Sequence, residues 1–349
     1  MTVRQTVVDD RVSEVIDDYF ARRIARAETL GPQAAALWRR AAVSARGGKR
    51  LRPRLVLLTH SSLGGGDERS AAVVAAAVEV LHSALLLHDD VLDGDLIRRG
   101  RPNLAGEFAG DALEGGAGLD SATAWGSASG LLAGDLLLSG VHTLIAGLES
   151  PARAELNEIV DDALMLTAVG EHADVGFSLG VMPAGAVEIR HMMEHKTAAY
   201  SFAAPLRAGA VLARADRGTV EALGEIGARL GLLYQLRDDV LGVFGDEQTM
   251  GKSSMSDLRE GKRTLLVAFA EDHPAWGEVA HLFGRRSLGP DDAARLRSAI
   301  VASGALVAVE ALIAEQIAEV DAALVAAALP EPLHRELSEV ARMCAERDA

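Results

Sequence analysis

One stretch of the chain, Glu68 to Gly94, joins a long apolar run to a cluster of acidic side chains. Ala, Val and Leu fill most of its positions and no proline interrupts it, so the pattern predicts one long helix. Asp67, which follows three glycines, is the predicted N-cap. The helix ends on Asp89, Asp90 and Asp93. Any fold that accepts this segment must bury the apolar surface and still give three carboxylates a partner.

Helical periodicity runs through most of the 349 residues. Hydrophobic residues make up 49% of the chain and aromatic residues only 4%, a composition that favours helix over sheet. We therefore predict an all-α fold, and a single domain over residues 1–349 because the sequence has no repeat and no break in composition. Residues 105–130 are rich in Gly, Ala, Ser and Asp and are predicted to form a mobile surface loop. Further helices are predicted over residues 9–29, 33–46, 53–62, 130–148, 152–180, 184–212, 217–244, 262–271, 291–302 and 305–328.

Charge and composition argue against several classes of protein. The formal net charge of -15 argues against a nucleic-acid binder, which needs Lys and Arg to replace phosphate counterions. The single cysteine, Cys344, rules out an intrachain disulfide and is predicted to be an inert thiol on a C-terminal helix. The N-terminal residues lack the pattern of a signal peptide. Apolar stretches such as Leu131–Leu148 are interrupted by Asp135 and by glycine, so we predict no membrane span and a cytoplasmic protein.

The first acidic cluster has the spacing of a metal site. On a helix, Asp89 and Asp93 share a face and lie about 6 Å apart along the axis. Two carboxylates so placed repel each other unless one holds a proton or both meet a cation, for which Mg²⁺ is suited because it prefers oxygen ligands. Acidic triplets also occur on solvated helix faces. The apolar neighbours Leu87 and Val91 favour a cleft instead.

A second acidic pair, Asp238 and Asp239, lies in another apolar segment, and Asp246 follows it. Two acidic motifs about 150 residues apart suggest facing helices. Magnesium between them is suited to gripping a diphosphate, whose oxygens complete the octahedral shell.

Basic residues follow the first motif and precede it. Arg98 and Arg99 offer planar forks that match phosphate oxygens. The stretch GGKRLRP adds Lys49, Arg50 and Arg52 after two glycines that allow a close approach of the backbone. Taken alone, this stretch is also typical of an ordinary basic turn.

Five further side chains are ambiguous when each is taken alone. His82, seven residues before the first motif, fits a core histidine or a ligand-binding one. Lys196 and Thr197 are a basic residue and a hydroxyl in the middle of a predicted helix. Lys252 and Lys262 stand beside glycines, in an ordinary solvated loop or in one that closes over phosphate.

Five stretches together resemble the trans-isoprenyl diphosphate synthases, also called the polyprenyl synthetase family. They are GGKRLRP, HSALLLHDDVLDGDLIRRGRP, HKT, YQLRDDVLGVFGD and GKSSMSDLREGKRT, and they span residues 47–264. The resemblance implies an all-helical bundle, usually a homodimer, that joins isopentenyl diphosphate head to tail to an allylic diphosphate. It also implies three Mg²⁺ ions with substrate bound.

The resemblance assigns residues to two substrates and to the reaction. Mg²⁺ on the allylic diphosphate is expected at Asp89, Asp93, Asp238 and Asp239, with Asp90 in support. The same diphosphate is expected to meet the basic residues Arg98, Lys196, Lys252 and Lys262. Isopentenyl diphosphate is expected at Lys49, Arg52, His82 and Arg99. Thr197 and Gln235 are expected to stabilise the allylic cation or to assist proton loss.

The sequence departs from the family pattern at two places. Gly242 stands where many members carry a third aspartate of the second motif. We expect activity to survive, because Asp238 can still hold a metal. The lysine segment carries Ser253, Met255 and Ser256 where Pro, Gly and Asp are frequent, which bears on its closure but not on its lysines.

Product length in this family depends on side chains shortly before the first motif. Ala84 is too small to block a growing chain, whereas Leu81 and Leu85 can limit it. We therefore predict a C20 product, geranylgeranyl diphosphate, with farnesyl and longer products as alternatives. Two rival functions are a class I terpene cyclase, which needs no isopentenyl diphosphate site, and a non-catalytic partner subunit, which would be expected to have lost ligands.

Overall fold

The computed structural model describes residues 3–245 and 255–346, with side chains from residue 10 onward. The described chain is almost entirely helical, so the predicted all-α class is confirmed; its strands are one two-residue pair. It forms two compact units, one of Met1–Ile159 and Pro205–Ala215, the other of Val160–Ala204 and Asp216–Ala349. The single-domain expectation stays a prediction.

The first unit is organised around one helix that ends on the first aspartate motif. Its helices are α1 Val3–Glu28, α2 Pro32–Ser44, α3 Leu51–Ser62, α4 Glu68–Asp93, α5 Leu104–Glu114 and α6 Leu119–Ala146, with strands β1 Ile97–Arg98 and β2 Arg101–Pro102. Asp67 caps α4 by accepting from the Ser70 amide at 3.0 Å, as predicted. Gly94 ends the helix in the left-handed region at φ 71. Between them, α4 packs along α6.

The predicted loop over residues 105–130 is wrong in its secondary structure, because α5 and the first part of α6 fill it. Asn103 starts α5 by accepting from the Gly106 amide at 2.8 Å. The glycines that suggested a loop are packing positions. A Cβ at Gly126 would overlap the Ala105 carbonyl and lie 3.1 Å from the Ala109 Cβ. Close helix packing therefore outweighs the poor helix propensity of glycine here.

The second unit contains the second aspartate motif. Helix α7, Arg153–Ser178, contains the boundary between the units, and α8 Ala186–Met193 leads into a π-helix, Glu194–Ala203. The next helix, α9 Ala204–Leu212, belongs to the first unit from Pro205 onward. The remaining helices are α10 Arg217–Phe244, α11 Ser256–Glu260, α12 Leu265–Ala270, α13 Pro274–Val279, a 3₁₀ turn Ala280–Leu282, α14 Pro290–Ala302, α15 Ala305–Ala326 and α16 Glu331–Ala345. The π-helix packs on α10, where Gly231 leaves no room for a side chain beside Ala198. Cys344 is buried on α16.

Two helices among the described residues are long and apolar enough to cross a membrane, judged by length and composition alone. In α4, 78% of the most apolar window is buried inside the protein, and in α6, 50%. The bent pair α14 and α15 would make a third candidate if it were one span. The absence of a membrane span therefore stays a prediction.

Candidate active site

The first aspartate motif is held by an arginine. The Nε atom of Arg98 donates to Asp90 Oδ1 at 2.7 Å, and its Nη2 atom donates to Asp89 Oδ2 at 3.0 Å. Arg98 thus pairs with Asp89, a predicted Mg²⁺ ligand, and with Asp90, the acid predicted to support it. Its predicted role at a diphosphate would require the guanidinium to exchange these partners.

Burial separates the roles of the three acids. Asp90 is 3% exposed, and burial raises its pKa although Arg98 pulls it down. Burial lowers the pKa of Arg98, but hydrogen bonds and charge from Asp90 and Asp89 raise it further, so the net direction is up. Asp89 and Asp93 are only half-buried. This exposure fits a supporting role for Asp90 and a ligand role for the other two.

A two-residue hairpin explains why Arg98 and Arg99 differ in their contacts. Strands β1 and β2 pair Ile97 with Pro102 and Arg98 with Arg101. The turn between them has positive φ at both positions, 54 at Arg99 and 72 at Gly100, as a type I′ turn requires. Arg98 therefore lies in the ladder beside the aspartates, while Arg99 is at the tip.

The tip arginine lies against the glycines of the GGKRLRP stretch. Gly47 and Gly48 adopt φ 90 and 81, a region that glycine enters without strain. A Cβ on Gly48 would lie 3.4 Å from Arg99 Nη2. The close approach predicted for these glycines therefore involves a guanidinium of the chain itself. Lys49, the next residue, is exposed.

His82 is subject to the charges of the first aspartate motif and of the nearby arginines. Burial, together with the charges of Arg52, Arg98 and Arg99, lowers its pKa well below the usual value, although Asp89 opposes this. The imidazole is neutral at pH 7. Three of the four residues predicted for isopentenyl diphosphate, His82, Arg52 and Arg99, thus interact electrostatically. The fourth, Lys49, lies three residues before Arg52 in the sequence.

The second unit contains a chain of hydrogen bonds that leads from a hydroxyl to the second motif. Thr197 Oγ1 donates to Gln235 Oε1 at 2.7 Å, and Gln235 Nε2 donates to Asp239 Oδ1 at 2.7 Å. The amide is therefore oriented from both ends. Thr197 lies in the π-helix, an irregularity that is frequent at functional sites.

Asp239 is a buried acid with an unusual titration. Burial raises its pKa to about 8, with further upward contributions from Asp257 and Asp238 and downward ones from Gln235 and Lys262. Asp238, one residue earlier, is half-buried. The exposure again fits one ligand and one supporting acid.

The position of the missing third aspartate is occupied by another acid. A Cβ on Gly242 would overlap the carboxylate of Asp257, lying 2.9 Å from its Cγ. Asp257 lies at the start of α11 and its carbonyl accepts from the Lys262 amide at 2.9 Å. Sequence reasoning missed this residue, although an acid five positions before a predicted phosphate-binding lysine was a usable signal.

Lys196 is held by two acids that sequence reasoning also missed. Its Nζ atom lies 2.6 Å from Asp174 Oδ2 and 2.9 Å from Glu171 Oε2. Asp174 is 5% exposed and its Oδ1 atom has no hydrogen-bond partner. Two acids on consecutive turns of α7 are also typical of a solvated face, so the sequence alone gave no reason to select them.

The remaining predicted residues divide into two groups. Leu81 and Ala84, proposed to limit product length, are fully buried on α4, and Leu85 is half-buried. Lys252 and Asp246 lie outside the described residues. No three His, Cys, Asp or Glu side chains of the described residues are arranged to hold a metal by themselves. The donor chemistry nevertheless fits Mg²⁺, because the candidate ligands are carboxylate oxygens.

An all-helical chain with two aspartate motifs and two sets of basic residues has the features of an isoprenyl diphosphate synthase. The family model "Polyprenyl synthetase" matches residues 39–300. The chain belongs to this family. It is a prenyltransferase that makes a trans-prenyl diphosphate.

Relatives of known description agree with this assignment. A geranylfarnesyl diphosphate synthase of Aeropyrum pernix is 35% identical, over 74% of this chain and 77% of its own length. A geranylgeranyl diphosphate synthase of Saccharolobus solfataricus is 35% identical, over 63% of this chain and 62% of its own length. The solved structure of a geranylgeranyl pyrophosphate synthase from Corynebacterium glutamicum, complexed with isoprenyl diphosphate and magnesium, has a TM-score of 0.89 at 27% identity and covers 98% of both chains.

Proposed function

We propose that the protein condenses isopentenyl diphosphate with C5 to C15 allylic diphosphates to give geranylgeranyl diphosphate. The observation that carries the two-substrate assignment lies within the first unit. Carboxylates suited to a metal-bound diphosphate end α4, and a second group, Arg52 and Arg99, acts together with Arg98 on His82. A cyclase would have no use for the second group.

We assign the allylic diphosphate to the two aspartate motifs. Asp89, Asp93 and Asp238 are the proposed ligands, with Asp90 and Asp239 in support. When bound, three Mg²⁺ ions would neutralise the diphosphate and favour its departure. On the protein side, Arg98, Lys196, Lys252 and Lys262 would donate hydrogen bonds to its oxygens.

The cation that remains needs oxygen dipoles and a dry environment. Thr197 and Gln235 are proposed to supply the dipoles, because their hydrogen bonds fix the hydroxyl and the amide in place. The isopentenyl double bond then attacks the cation, and the released diphosphate takes the proton that is lost. Buried apolar helix faces exclude water, which would otherwise convert the cation to an alcohol.

Product length follows from side chains one to two turns before Asp89. The buried Ala84 leaves room for a growing tail, and Leu81, nearly one turn deeper, is proposed to stop it. Farnesyl or longer diphosphates remain the alternative products. We further propose a single-domain enzyme that is a cytoplasmic homodimer without a membrane span; the resemblance and the burial of the most apolar part of α4 inside the protein support this.

The experiment that tests this function follows labelled isopentenyl diphosphate into product. Purified protein receives an allylic primer with Mg²⁺, or with EDTA, and two variants, Asp89→Asn and Asp238→Asn, are compared. We expect incorporation only with metal and a loss of at least a hundredfold in each variant. Diphosphate release without incorporation would indicate a cyclase, and an inactive wild-type chain would indicate a partner subunit.

A further inference from the structure

Two acids of α7 pair with the lysine that we assign to the allylic diphosphate. The Nζ atom of Lys196 lies 2.6 Å from Asp174 Oδ2, 2.9 Å from Glu171 Oε2 and 3.1 Å from Glu171 Oε1. The side chains of Lys196 and Glu171 are each 18% exposed and that of Asp174 is 7% exposed. All three residues belong to the second unit. Two carboxylates therefore share one ammonium group that is largely withdrawn from water.

The backbone brings these three side chains together. A Cβ on Gly170, the residue before Glu171, would lie 2.3 Å from the Lys196 backbone nitrogen and 2.7 Å from its Cα, so α7 and the π-helix touch at this point. Glu171 and Asp174 are three residues apart on α7 and share a helix face. The lysine stem therefore starts beside Gly170 and reaches Asp174 one helical turn further along.

Asp174 is the more firmly held of the two acids. It is 5% exposed as a whole residue, and its Oδ1 atom is buried and accepts no hydrogen bond within the described ranges. A buried carboxylate is costly unless a paired cation compensates it. Lys196 supplies that cation at the shortest of the measured distances, 2.6 Å. Asp174 and Lys196 therefore fix one another, and Glu171 adds a longer contact.

We propose that Asp174, with the help of Glu171, is a positioning residue that directs the ammonium of Lys196 toward the allylic diphosphate. A lysine carries a point charge on a flexible stem, so contacts with the protein decide where that charge lies. This inference rests on the proposed function, because it explains how a residue assigned to the allylic diphosphate is held before the substrate arrives. It predicts an effect on one of the two substrates.

The test removes the charge of Asp174 and keeps its shape. In Asp174→Asn we expect the KM for a C15 allylic primer to rise about tenfold, the low end of the effect of removing a group that orients a ligand-binding side chain. The KM for isopentenyl diphosphate should stay within about twofold. Asp161→Asn is the matched control, since Asp161 is an exposed acid of the same helix. Both KM values should be unchanged in this control.

The opposite results have their own physical meaning. If Asp174 acted only as a negative charge near an anion, its removal would lower the KM for the allylic primer. A lowered or unchanged value would overturn the proposal, and so would an equal rise in the KM values of both substrates. Wild-type protein that fails to incorporate isopentenyl diphosphate would instead refute the proposed function, so the two failures are distinguishable.

A double-mutant cycle tests whether Asp174 acts through Lys196. Lys196→Met removes the ammonium and keeps most of the length of the side chain. In this background, Asp174→Asn should change the KM for the allylic primer by less than about twofold, and fully additive effects would overturn the proposal. Melting temperature separates a folding defect from lost positioning. Lys196→Met leaves a buried acid uncompensated and should melt lower, and adding Asp174→Asn should recover part of that loss; a further fall would contradict the pairing.

Discussion

Replacing Gly242 with aspartate should damage the protein, although it gives the second motif its more frequent residue. The carboxylate of Asp257 occupies the space that a side chain at position 242 would enter, with its Cγ 2.9 Å from the added Cβ. Burial, with a smaller contribution from Asp257, already raises the pKa of Asp239, three residues earlier, to about 8. A third acid would have to enter this group or displace one of its members.

Two effects set the magnitude. Forcing an extra group into a packed region costs about 1–3 kcal/mol. Two carboxylates about 4 Å apart repel by about 4 kcal/mol at an effective dielectric constant of 20. Protonation or a shift of α11 relieves part of this repulsion. We therefore expect Gly242→Asp to lower the free energy of unfolding by about 3 kcal/mol, whereas a helical glycine replaced by alanine in open space usually gains about 1 kcal/mol.

The assay is urea unfolding at pH 7 in EDTA, followed by circular dichroism. Gly242→Ala measures the packing cost alone. Gly242→Asp measures the packing cost together with the electrostatic repulsion. The double variant Gly242→Asp with Asp257→Ala removes the occupant and should recover most of the loss. Gly242→Asp that is as stable as wild type would refute the reasoning, because the space would then be free.

Three further perturbations test other parts of the site. Asp239 has a folded-state pKa of about 8 against about 3.9 in the unfolded chain, so its contribution to stability is full below pH 4 and is lost as pH rises to 8. Metal-free Asp239→Asn should lack that fall, which amounts to about 6 kcal/mol at most, and identical pH curves of the free energy of unfolding would contradict the assignment. Thr197→Val removes the donor that orients Gln235 and should lower kcat about tenfold, whereas Thr197→Ser should stay near wild type; equal effects would show that the hydroxyl is not used. Ala84→Phe should shift the products toward C15 in mass spectra, with the melting temperature as a control for overpacking, and an unchanged product spectrum would remove this residue from the length limit.

The helices could be predicted where packing followed the local pattern. Helix α4 begins at its predicted cap and ends on Asp93, one residue before the predicted end, because Asp67 and Gly94 are local signals. Residues 105–130 could not be read in this way. Gly126 and Gly130 serve contacts with residues distant in sequence, and a single sequence gives glycine the same appearance in a loop and at a helix contact.

The segment 184–212 shows a different limit. It was predicted as one helix, whereas the structure divides it into α8, a π-helix and α9. The wider turns of the π-helix lie where Ala203 and Ala198 pack against Gly227 and Gly231 of α10. That fit depends on two segments at once, so periodicity within either one does not reveal it.

The site residues show the same division. Spacing and resemblance predict Asp89, Asp93 and Asp238 as metal ligands because motifs are local, and this assignment stays a prediction. Asp257 and Asp174 were missed because each acts on a residue of another segment and has no motif of its own. The contact of Arg98 with Asp89 does not follow from the motifs, because the resemblance assigns both residues to a bound diphosphate.

Product analysis by mass spectrometry tests the central claim most directly. Purified protein is incubated with isopentenyl diphosphate and, separately, with C5, C10 and C15 allylic primers, in Mg²⁺ or in EDTA. The account predicts a C20 prenyl diphosphate from each primer, only with metal. A longer product would keep the condensation and refute the proposed floor at Leu81, whereas cyclised hydrocarbon without consumption of isopentenyl diphosphate would contradict the account itself.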